Sequence, residues 1–528
     1  MVEYSNGTAV VKENIMPVAV RVGEMLSGAE NLLVEKPACV SFRREGCCAF
    51  TQKGAYVVLD FGKELCGGVR LITSTMDGTA RFRITLGESL SEACAELRQK
   101  NATNDHSPRD FEAVVPLLSD LTFGMSGFRF ARLELLTEKP VYIRNIFAVS
   151  TLPYLRKEGW VKTNDEDLNR IIDTAAYTLK LNMQNGYIWD GIKRDRLVWS
   201  GDLHQEIVLA SYLYGDVENI PNALTFLKEE TPPTKWINGI PTYSAWWVIN
   251  LCDYCRLTGN AAYFQKNRDY ALAVMENLNR CVDEKGEMDF SSAPSSMPYF
   301  LDWPTFKTED AKIGTAALFV YMANKYLEQE ENENCRQIAK KLSAYLNMDC
   351  QYKQTRAFQI LAGRDPAGEA AFLEKDGAAG LSTFMAYYIL KADAMAGGKN
   401  MYAIIKEYFG GMLSRGATSF WEDFDVAWLE GSGRIDEFPK EGQKDIHGDY
   451  GAFCYIGFRH SLCHGWASGV LAFIIEHMLG LIMEQGGAVC HLAPHTTGEI
   501  VDARLPIKDG WLNIHIDEEN VTATKSED

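Results

Sequence analysis

The spacing of hydrophobic residues changes near the end of residues 1–155. Within this stretch, short segments alternate apolar and polar side chains, as where Phe82 and Ile84 each follow an arginine. A period of two is typical of β-strands with one buried face, and pairs such as Asp77-Gly78 separate the segments as turns. Regular short strands of this kind predict an antiparallel β-sandwich over residues 1–155.

The hydrophobic period lengthens to three or four residues after Pro153. Leu168, Ile171 and Ile172 open the pattern behind a group of capping residues, which indicates an amphipathic helix. Similar segments follow at residues 203–228, 241–258, 260–281, 310–328, 331–349, 379–396, 399–413 and 464–483. Consecutive helical hairpins in this number can close into a double ring of helices, which we expect over residues 156–485.

Residues 486–528 return to a strand-like pattern. Two apolar runs flank Asp509-Gly510, a pair that favours a tight turn between strands. The polar residues 518–528 are expected to be frayed. The chain is therefore predicted to be a multidomain α plus β protein with a short C-terminal β segment.

The charge balance narrows the classes of partner. The chain has 53 basic and 71 acidic residues, a formal net charge of −18. Proteins that bind nucleic acid contact phosphates through clustered lysine and arginine, so this balance argues against a nucleic-acid partner. The acidic balance fits a neutral or cationic small molecule as the partner. Alternatively, the charge serves only to keep the protein soluble.

Cysteine use bears on location and on metals. The thirteen cysteines lack the spacing of a disulfide framework, and a long chain does not need disulfides to fold, which favours reduced thiols in the cytoplasm. Cys252 and Cys255 form a CxxC pair inside a predicted helix, without a second pair at zinc spacing. We therefore predict no metal and no cofactor.

The sequence shows neither a secretion signal nor a membrane span. The first ten residues lack a basic start followed by an apolar run. The most apolar late stretch, Val470–Met483, is interrupted by Glu476 and His477 and is too short to cross a bilayer. We expect a cytoplasmic protein without a membrane partner.

The densest group of polar residues opens the helical region. Between Trp189 and Glu206 the chain contains four acids with basic residues among them, namely Asp190, Asp195, Asp202 and Glu206. Carboxylates bind sugar hydroxyls and transfer protons, while indole faces stack on the apolar side of a sugar ring. The segment therefore predicts a carbohydrate site, with a solvated charged loop as the alternative.

A second candidate segment places one tryptophan directly before several acids. Trp421 precedes Glu422, Asp423 and Asp425. Burial of the indole would draw these carboxyl groups toward a region of low dielectric and raise their pKa values. An acidic turn at the end of a helix is an equally good interpretation.

Further aromatic residues are candidates for the walls of a cleft. Asp302 stands beside Trp303, and Trp247 belongs to a segment with two indoles. Such tryptophans are more often core residues than ligand contacts, and His464, alone, would most often be structural. No nucleophile elbow, phosphate-binding loop or HExxH motif is found in a convincing context. The available chemistry is that of carboxylates, and two carboxyl groups suffice to cleave a glycoside.

These segments, in this order, resemble glycoside hydrolase family 78, the α-L-rhamnosidases. The family's signature is similar to Asp190-Gly-Ile-Lys-Arg-Asp-Arg-Leu-Val-Trp-Ser-Gly-Asp202. A later family motif resembles Gly416-Ala-Thr-Ser-Phe-Trp-Glu422, and two shorter ones resemble Asp302-Trp303 and Ser461-Leu-Cys-His464. The resemblance implies a β-sandwich followed by an (α/α)6 catalytic barrel over residues 156–485.

The resemblance also implies a reaction and roles for named residues. Family members invert the anomeric carbon, with acid and base about 6.5–9.5 Å apart to admit a water molecule. Glu422 matches the general base, and Asp195 is the candidate general acid, for removal of terminal α-L-rhamnosyl residues from small glycosides or oligosaccharides. The expected substrate-binding residues are Asp190, Arg194, Trp199, Asp202, Trp247, Asp302, Trp303, Trp421 and His464.

One departure from the family leaves alternatives open. The usual acid is Glu, whereas this chain offers Asp195, and a second alignment would delete the acid and place Asp195 on its neighbour. In that case Glu206 is a substitute acid, or the activity is weak or altered. The alternatives are a hydrolase of the same barrel acting on another sugar and a carbohydrate-binding protein without catalysis. A homodimer is one of the assemblies that the sequence leaves open.

Overall fold

The computed structural model describes residues 2–5, 8–75, 77–496 and 498–527. The N-terminal part consists of ten strands and one short helix, α1 (Leu90–Cys94). The strands are β1 (Val2–Ser5), β2 (Thr8–Ile15), β3 (Ala19–Glu24), β4 (Leu26–Ser27), β5 (Cys48–Phe50), β6 (Tyr56–Thr73), β7 (Ala80–Gly87), β8 (Asp110–Val115), β9 (Asp120–Leu135) and β10 (Val141–Pro153).

All ten strands belong to one antiparallel sheet that folds over on itself. Its main order is β1-β2-β10-β6-β9-β7-β8, while β5 pairs with β10. Phe50 of β5 nevertheless contacts Phe82 of β7, a strand that is three places away from β10 in this order. The ring centroids of the two side chains are 5.2 Å apart. Alternate residues such as Val57 and Leu59 of β6 fill the space between the layers. The predicted antiparallel β-sandwich is thus confirmed, as one continuous sheet.

Twelve α-helices among the described residues build the second part, accompanied by three short strands, β11 (Trp160–Thr163), β12 (Met183–Gln184) and β13 (Tyr187–Ile188). The helices are α2 (Glu166–Asn182), α3 (Leu203–Tyr214), α4 (Asn219–Glu230), α5 (Pro241–Thr258), α6 (Ala261–Arg280), α7 (Glu309–Leu327), α8 (Glu333–Leu342), α9 (Lys353–Leu361), α10 (Ala370–Leu373), α11 (Ala386–Met395), α12 (Met401–Ser414) and α13 (Gly469–His477).

The helices form a double ring. In the inner ring, α3, α5, α7, α9, α11 and α13 each pack against the next, and α13 returns to α3. Inner helices are buried on all sides, as in α3, whose twelve residues are all buried. Outer helices bury one stripe only, as in α8, where Cys335, Ile338 and Leu342 recur at helical spacing. The predicted (α/α)6 arrangement is confirmed.

Several predicted helices are shorter in the structure, and two of them show the reason. The segment 203–228 is interrupted at Gly215, whose φ of +74° ends α3 before α4 begins. The segment 464–483 starts with a single 3-10 turn after His464, continues as α13, and ends before a strand at Leu481. Both differences arise because apolar spacing does not show where a buried helix ends.

The remaining strands are β14 (Leu481–Glu484), β15 (Val489–Leu492), β16 (Val501–Ile507), β17 (Gly510–Ile516) and β18 (Val521–Ser526). The sheet order is β11-β16-β17-β18, so the C-terminal sheet takes up a strand that precedes the helices. The expectation of a frayed terminus is wrong for Val521–Ser526, which pairs with β17 along its length. The bounds of three separate domains remain a prediction.

Buried ion pairs join the sandwich to the barrel. Lys193, in the loop before α3, places Nζ 2.9 Å from Glu88 Oε2 and 3.2 Å from Glu92 Oε1. The main-chain N–H of Leu462 donates to Glu88 as well. All three charged side chains are buried, and loss of one partner would leave an uncompensated charge. These contacts fix two barrel loops against the sandwich.

None of the described helices is long and apolar enough to span a membrane.

The packing of the sandwich leads to a first prediction. Phe50→Ala is expected to lower the free energy of unfolding by about 3–5 kcal/mol, because the lost ring is fully buried against Phe82. Urea unfolding measures this change. Phe42→Ala is the matched control, since Phe42 is 79% exposed and its loss should change stability by no more than about 0.5 kcal/mol. Equal effects of the two substitutions would contradict the assigned core.

Candidate active site

The predicted site residues lie in loops that lead into the inner helices. Asp190 through Asp202 precede α3, Asp302 and Trp303 precede α7, and Glu422 and His464 precede α13. Because successive inner helices are separated by a returning outer helix, their N-terminal ends face the same mouth of the barrel. A main-chain bridge between Gly191 and His464 joins the first and last of these loops.

Arg194 lies at the centre of the cluster. Its Nη1 is 3.0 Å from Asp195 Oδ1, and its Nη2 is 2.5 Å from Glu422 Oε1. The ring of Tyr455 packs against the guanidinium, with the Cζ atom 5.2 Å from the ring centroid. One buried cation therefore holds both carboxyl groups that the sequence predicted as acid and base.

Glu422 is held rigidly and deep in the protein. The main-chain N–H of Ser461 donates to its Oε2 at 3.1 Å, and Thr383 and Trp466 donate to its main-chain carbonyl. Its side chain is only 2% exposed. Burial raises the pKa of Glu422, while the guanidinium of Arg194 opposes this shift. A carboxylate with a raised pKa that remains paired with a cation is suited to accept a proton.

Asp195 occupies a different environment, nearer the surface. Its side chain is 21% exposed, and its Oδ1 lies 3.1 Å from Nε2 of His106, which belongs to the N-terminal sandwich. The main-chain N–H of Asp195 donates to Asp190. Sequence reasoning did not find His106, because it lies in no motif and 89 residues before its partner.

A second acidic group surrounds His464. Its Nε2 lies 3.8 Å from Asp190 Oδ2, 3.9 Å from Asp202 Oδ2 and 3.5 Å from Glu422 Oε1. Burial, with the charge of Asp195 as the next cause, raises the pKa of Asp190 to about 7. Burial and Asp190 likewise raise the pKa of Asp202, whereas burial lowers that of His464. These groups can donate and accept hydrogen bonds without carrying full charge.

Aromatic side chains line the approach to these acids. Trp199 packs edge-on against Tyr243, whose hydroxyl donates to Asp202 at 3.2 Å. Trp303 contacts Tyr455 and stacks on Phe453 at 5.6 Å between ring centroids. Trp199 and Trp303 are both half-buried. The structure thus brings both tryptophans to the rim of the acidic cluster.

Asp302 is fixed beside this rim. Ser382 donates to its Oδ2 at 2.5 Å, and the main-chain N–H of Trp303 donates to its Oδ1 at 2.8 Å. Burial raises the pKa of Asp302 to about 6. Trp421, which precedes the proposed base, is buried beside Phe424, and its indole N–H has no partner among the described residues.

Trp247 does not join the cluster, which corrects its prediction as a substrate contact. Its indole N–H donates to the carbonyl of Leu224 in α4, and its ring packs on Tyr270 of α6. The side chain is fully buried between inner and outer helices. Core and cleft tryptophans look alike in sequence, because an indole ring suits both a hydrophobic core and a surface that stacks on a sugar.

Glu206, the predicted substitute acid, is buried beneath the site in α3. Neither of its carboxyl oxygens has a hydrogen-bond partner in the described chain. A Cβ atom on Gly465 would lie 1.6 Å from its Oε1, so any other residue at this position would displace the carboxyl group of Glu206. Burial, followed by the charges of Asp202 and Asp190, raises the pKa of Glu206 well above 4.5. This environment favours the neutral form of the carboxyl group.

Two carboxylate–histidine groups in the described chain have potential ligand atoms close enough for a metal ion. Glu88 and Glu92 lie near His447, but the ammonium of Lys193 already compensates their charge. The second group is Asp190, Asp202 and His464. Backbone N–H groups occupy both carboxyl oxygens of Asp190, so its geometry does not require a cation. The absence of a metal cofactor remains a prediction.

The sequence of residues 156–360 matches the family model of the bacterial alpha-L-rhamnosidase six-hairpin glycosidase domain. No curated protein matches the chain. This segment is therefore similar to the six-hairpin glycosidase domain of bacterial α-L-rhamnosidases, and the double ring of helices agrees with that fold. The resemblance inferred from the motifs is confirmed at this level.

Solved structures share the fold along most of the chain. The family 78 rhamnosidase of Bacillus sp. GL1 superimposes with a TM-score of 0.69 at 16% identity, covering 93% of this chain and 53% of that one. The rhamnosidase from Klebsiella oxytoca with rhamnose bound gives 0.66 at 20% identity, covering 89% and 96%. The Streptomyces avermitilis α-L-rhamnosidase complexed with L-rhamnose gives 0.67 at 14% identity, covering 97% and 48%. The chain spans about half the length of the Bacillus and Streptomyces proteins.

The buried carboxyl of Glu206 leads to a prediction of pH dependence. The raised pKa means that Glu206 stabilises the native state fully below about pH 4.5 and that this contribution is lost as the pH rises through the native pKa. Glu206→Gln cannot ionise, so its free energy of unfolding relative to wild type should increase between pH 4.5 and 8. Urea unfolding across this range tests the prediction.

Glu430→Gln is the control for this experiment, because Glu430 is exposed. It should leave the pH dependence of wild type unchanged. Parallel curves for wild type and Glu206→Gln would show that the carboxyl is already ionised in the native state.

Proposed function

We propose that this chain, with its six-hairpin glycosidase domain, is an inverting glycoside hydrolase that removes terminal α-L-rhamnosyl residues from small glycosides. In this proposal Asp195 is the general acid and Glu422 is the general base. The observation that carries it is the shared guanidinium of Arg194, which holds the two carboxyl groups on its two terminal nitrogens.

The unequal environments of the two acids support their different roles. Asp195 is 21% exposed and Glu422 is 2% exposed. In a pocket that takes the end of a sugar chain, the leaving group points toward solvent, so the acid should be the outer of the two groups. The base should be the inner one, where the water that attacks is shielded from bulk solvent.

The proposed reaction needs no covalent intermediate. Asp195 gives its proton to the glycosidic oxygen as the bond from that oxygen to the anomeric carbon breaks. Glu422 takes a proton from a water molecule whose oxygen bonds to the same carbon from the opposite face. The products are the free alcohol and a sugar of inverted anomeric configuration.

The surrounding groups are suited to bind a neutral sugar. Asp190, Asp202 and His464 present hydrogen-bonding atoms within 4 Å of one another or of Glu422, and hydroxyl groups can bridge such atoms. Trp199 and Trp303 offer apolar ring surface at the rim. Rhamnose as the sugar is supported by the family model and by the rhamnose in the Klebsiella and Streptomyces structures.

Removal of the proposed base is the direct test. Glu422→Gln should lower kcat on p-nitrophenyl α-L-rhamnoside by roughly 10²–10⁴-fold, because the amide cannot accept the proton of water. The control Glu430→Gln removes an exposed carboxylate from the same loop region and should leave kcat unchanged. Activity of Glu422→Gln close to that of wild type would exclude Glu422 as the base.

The stereochemistry gives a separate prediction. Proton NMR during hydrolysis of an α-L-rhamnoside should show β-L-rhamnose first, followed by mutarotation. Initial release of the α anomer would contradict the inverting mechanism.

A wild-type protein that cleaves another aryl glycoside but not the rhamnoside would refute the specificity. Binding of rhamnose without turnover of any glycoside would instead favour a carbohydrate-binding protein.

A further inference from the structure

We propose that His106 of the N-terminal sandwich is a positioning residue for the general acid, so that the acid of this enzyme is a pair, Asp195 with His106, formed across the junction of sandwich and barrel. The inference rests on the proposed function and extends it. Its starting observation is the distance of 3.1 Å between His106 Nε2 and Asp195 Oδ1.

The loop that carries His106 is attached to the barrel on both sides of the histidine. The hydroxyl of Ser107 donates to the carbonyl of Lys193 at 3.2 Å and lies 2.9 Å from the hydroxyl of Ser126. Asp105 forms an ion pair with Arg459 at 3.4 Å. Lys193 is two residues before Asp195, so one of the contacts that fix this loop is made to the segment that carries the proposed acid.

The backbone of His106 is held in an uncommon conformation. Its φ is +67°, in the left-handed region that few residues other than glycine adopt, although histidine is among those more often found there. Such conformations persist where the surrounding structure enforces them, and they cluster at functional sites. The bonds of Ser107 provide that enforcement, and the imidazole is thereby directed at Asp195.

The two contacts of Asp195 are made to the same oxygen. Arg194 Nη1 lies 3.0 Å and His106 Nε2 lies 3.1 Å from Oδ1, and no described residue donates to Oδ2. The geometry therefore assigns Oδ2–H as the group that faces the glycosidic oxygen. As this O–H bond breaks and the proton joins the leaving oxygen, negative charge develops on the carboxyl group, and the guanidinium of Arg194 and the imidazole of His106, both next to Oδ1, stabilise it.

This arrangement suits an aspartate. Aspartate is one methylene shorter than glutamate, so its carboxyl group can reach a bound substrate only if backbone and side chain are held in one position. Arg194, whose other terminal nitrogen is bound to Glu422, provides one fixed contact to this carboxyl group. The imidazole of His106, which is 34% exposed, provides a second contact from the N-terminal sandwich.

The test uses leaving groups of different basicity. Activated leaving groups, such as 2,4-dinitrophenolate, depart without a proton, whereas alkoxides depend on the general acid. His106→Ala should lower kcat/KM for methyl α-L-rhamnoside by roughly 10–100-fold and change it little for the dinitrophenyl rhamnoside. His106→Gln keeps an N–H donor and should recover most of the loss.

Four results would overturn the inference. An equal loss of kcat/KM for both substrates would mean that His106 has only a structural role. No loss of kcat/KM for either substrate would mean that His106 has no role in the reaction. Full additivity of His106→Ala with Asp195→Asn on the methyl rhamnoside would show that the two residues act separately. Inactivity of the wild-type protein on every glycoside would refute the proposed function itself, and the inference with it.

His515→Ala is the matched control. It removes another histidine–aspartate contact, 2.7 Å from His515 Nδ1 to Asp502 Oδ1, on the C-terminal sheet. It should leave kcat/KM unchanged for both substrates. Urea unfolding of each variant separates loss of folded protein from loss of acid catalysis.

Discussion

The charge of Arg194 is the constraint on which the site depends. Burial disfavours ionised carboxyl groups, and the barrel mouth gathers Asp190, Asp202 and Glu422 around the imidazole of His464. The protein accommodates the excess of acids in two ways. Glu422 is paired directly with Arg194, while the pKa of Asp190 and that of Asp202 are raised by burial. A site of this kind binds neutral hydroxyl groups without a large uncompensated charge.

Neighbouring residues connect this site to the docking of the two parts of the protein. Lys193 pairs with Glu88 and Glu92 of the sandwich, whereas the next residue, Arg194, pairs with the carboxyl groups of the site. A shift of the sandwich would therefore displace the loop that carries the central cation. The sandwich is for this reason a part of the active site rather than an attached module, and His106 is its most direct contribution.

The sequence was informative wherever function follows local pattern. Apolar periods predicted the sandwich and the helical rings, because burial imposes a period of two on strands and of 3.6 on helices. The motif around Arg194 predicted the main acids. The sequence pattern did not predict the helix end at Gly215 or the strand Val521–Ser526, because the local order of residues does not show which neighbour a segment packs against. His106 was missed for the same reason.

The difference in depth between Asp195 and Glu422 argues for one orientation of the substrate. Both acids contact the same cation, so their chemistry would be interchangeable if their surroundings were alike. Only Asp195 is partly exposed, with 21% of its side chain accessible against 2% for Glu422, so the carboxylate left after the proposed proton transfer can be reprotonated from water. Glu422 is enclosed by Ser461, whose main-chain N–H donates to its carboxyl group, and by Trp466, whose indole N–H donates to its main-chain carbonyl. Under the proposed function, the leaving group therefore faces the sandwich and the terminal sugar lies toward the barrel axis.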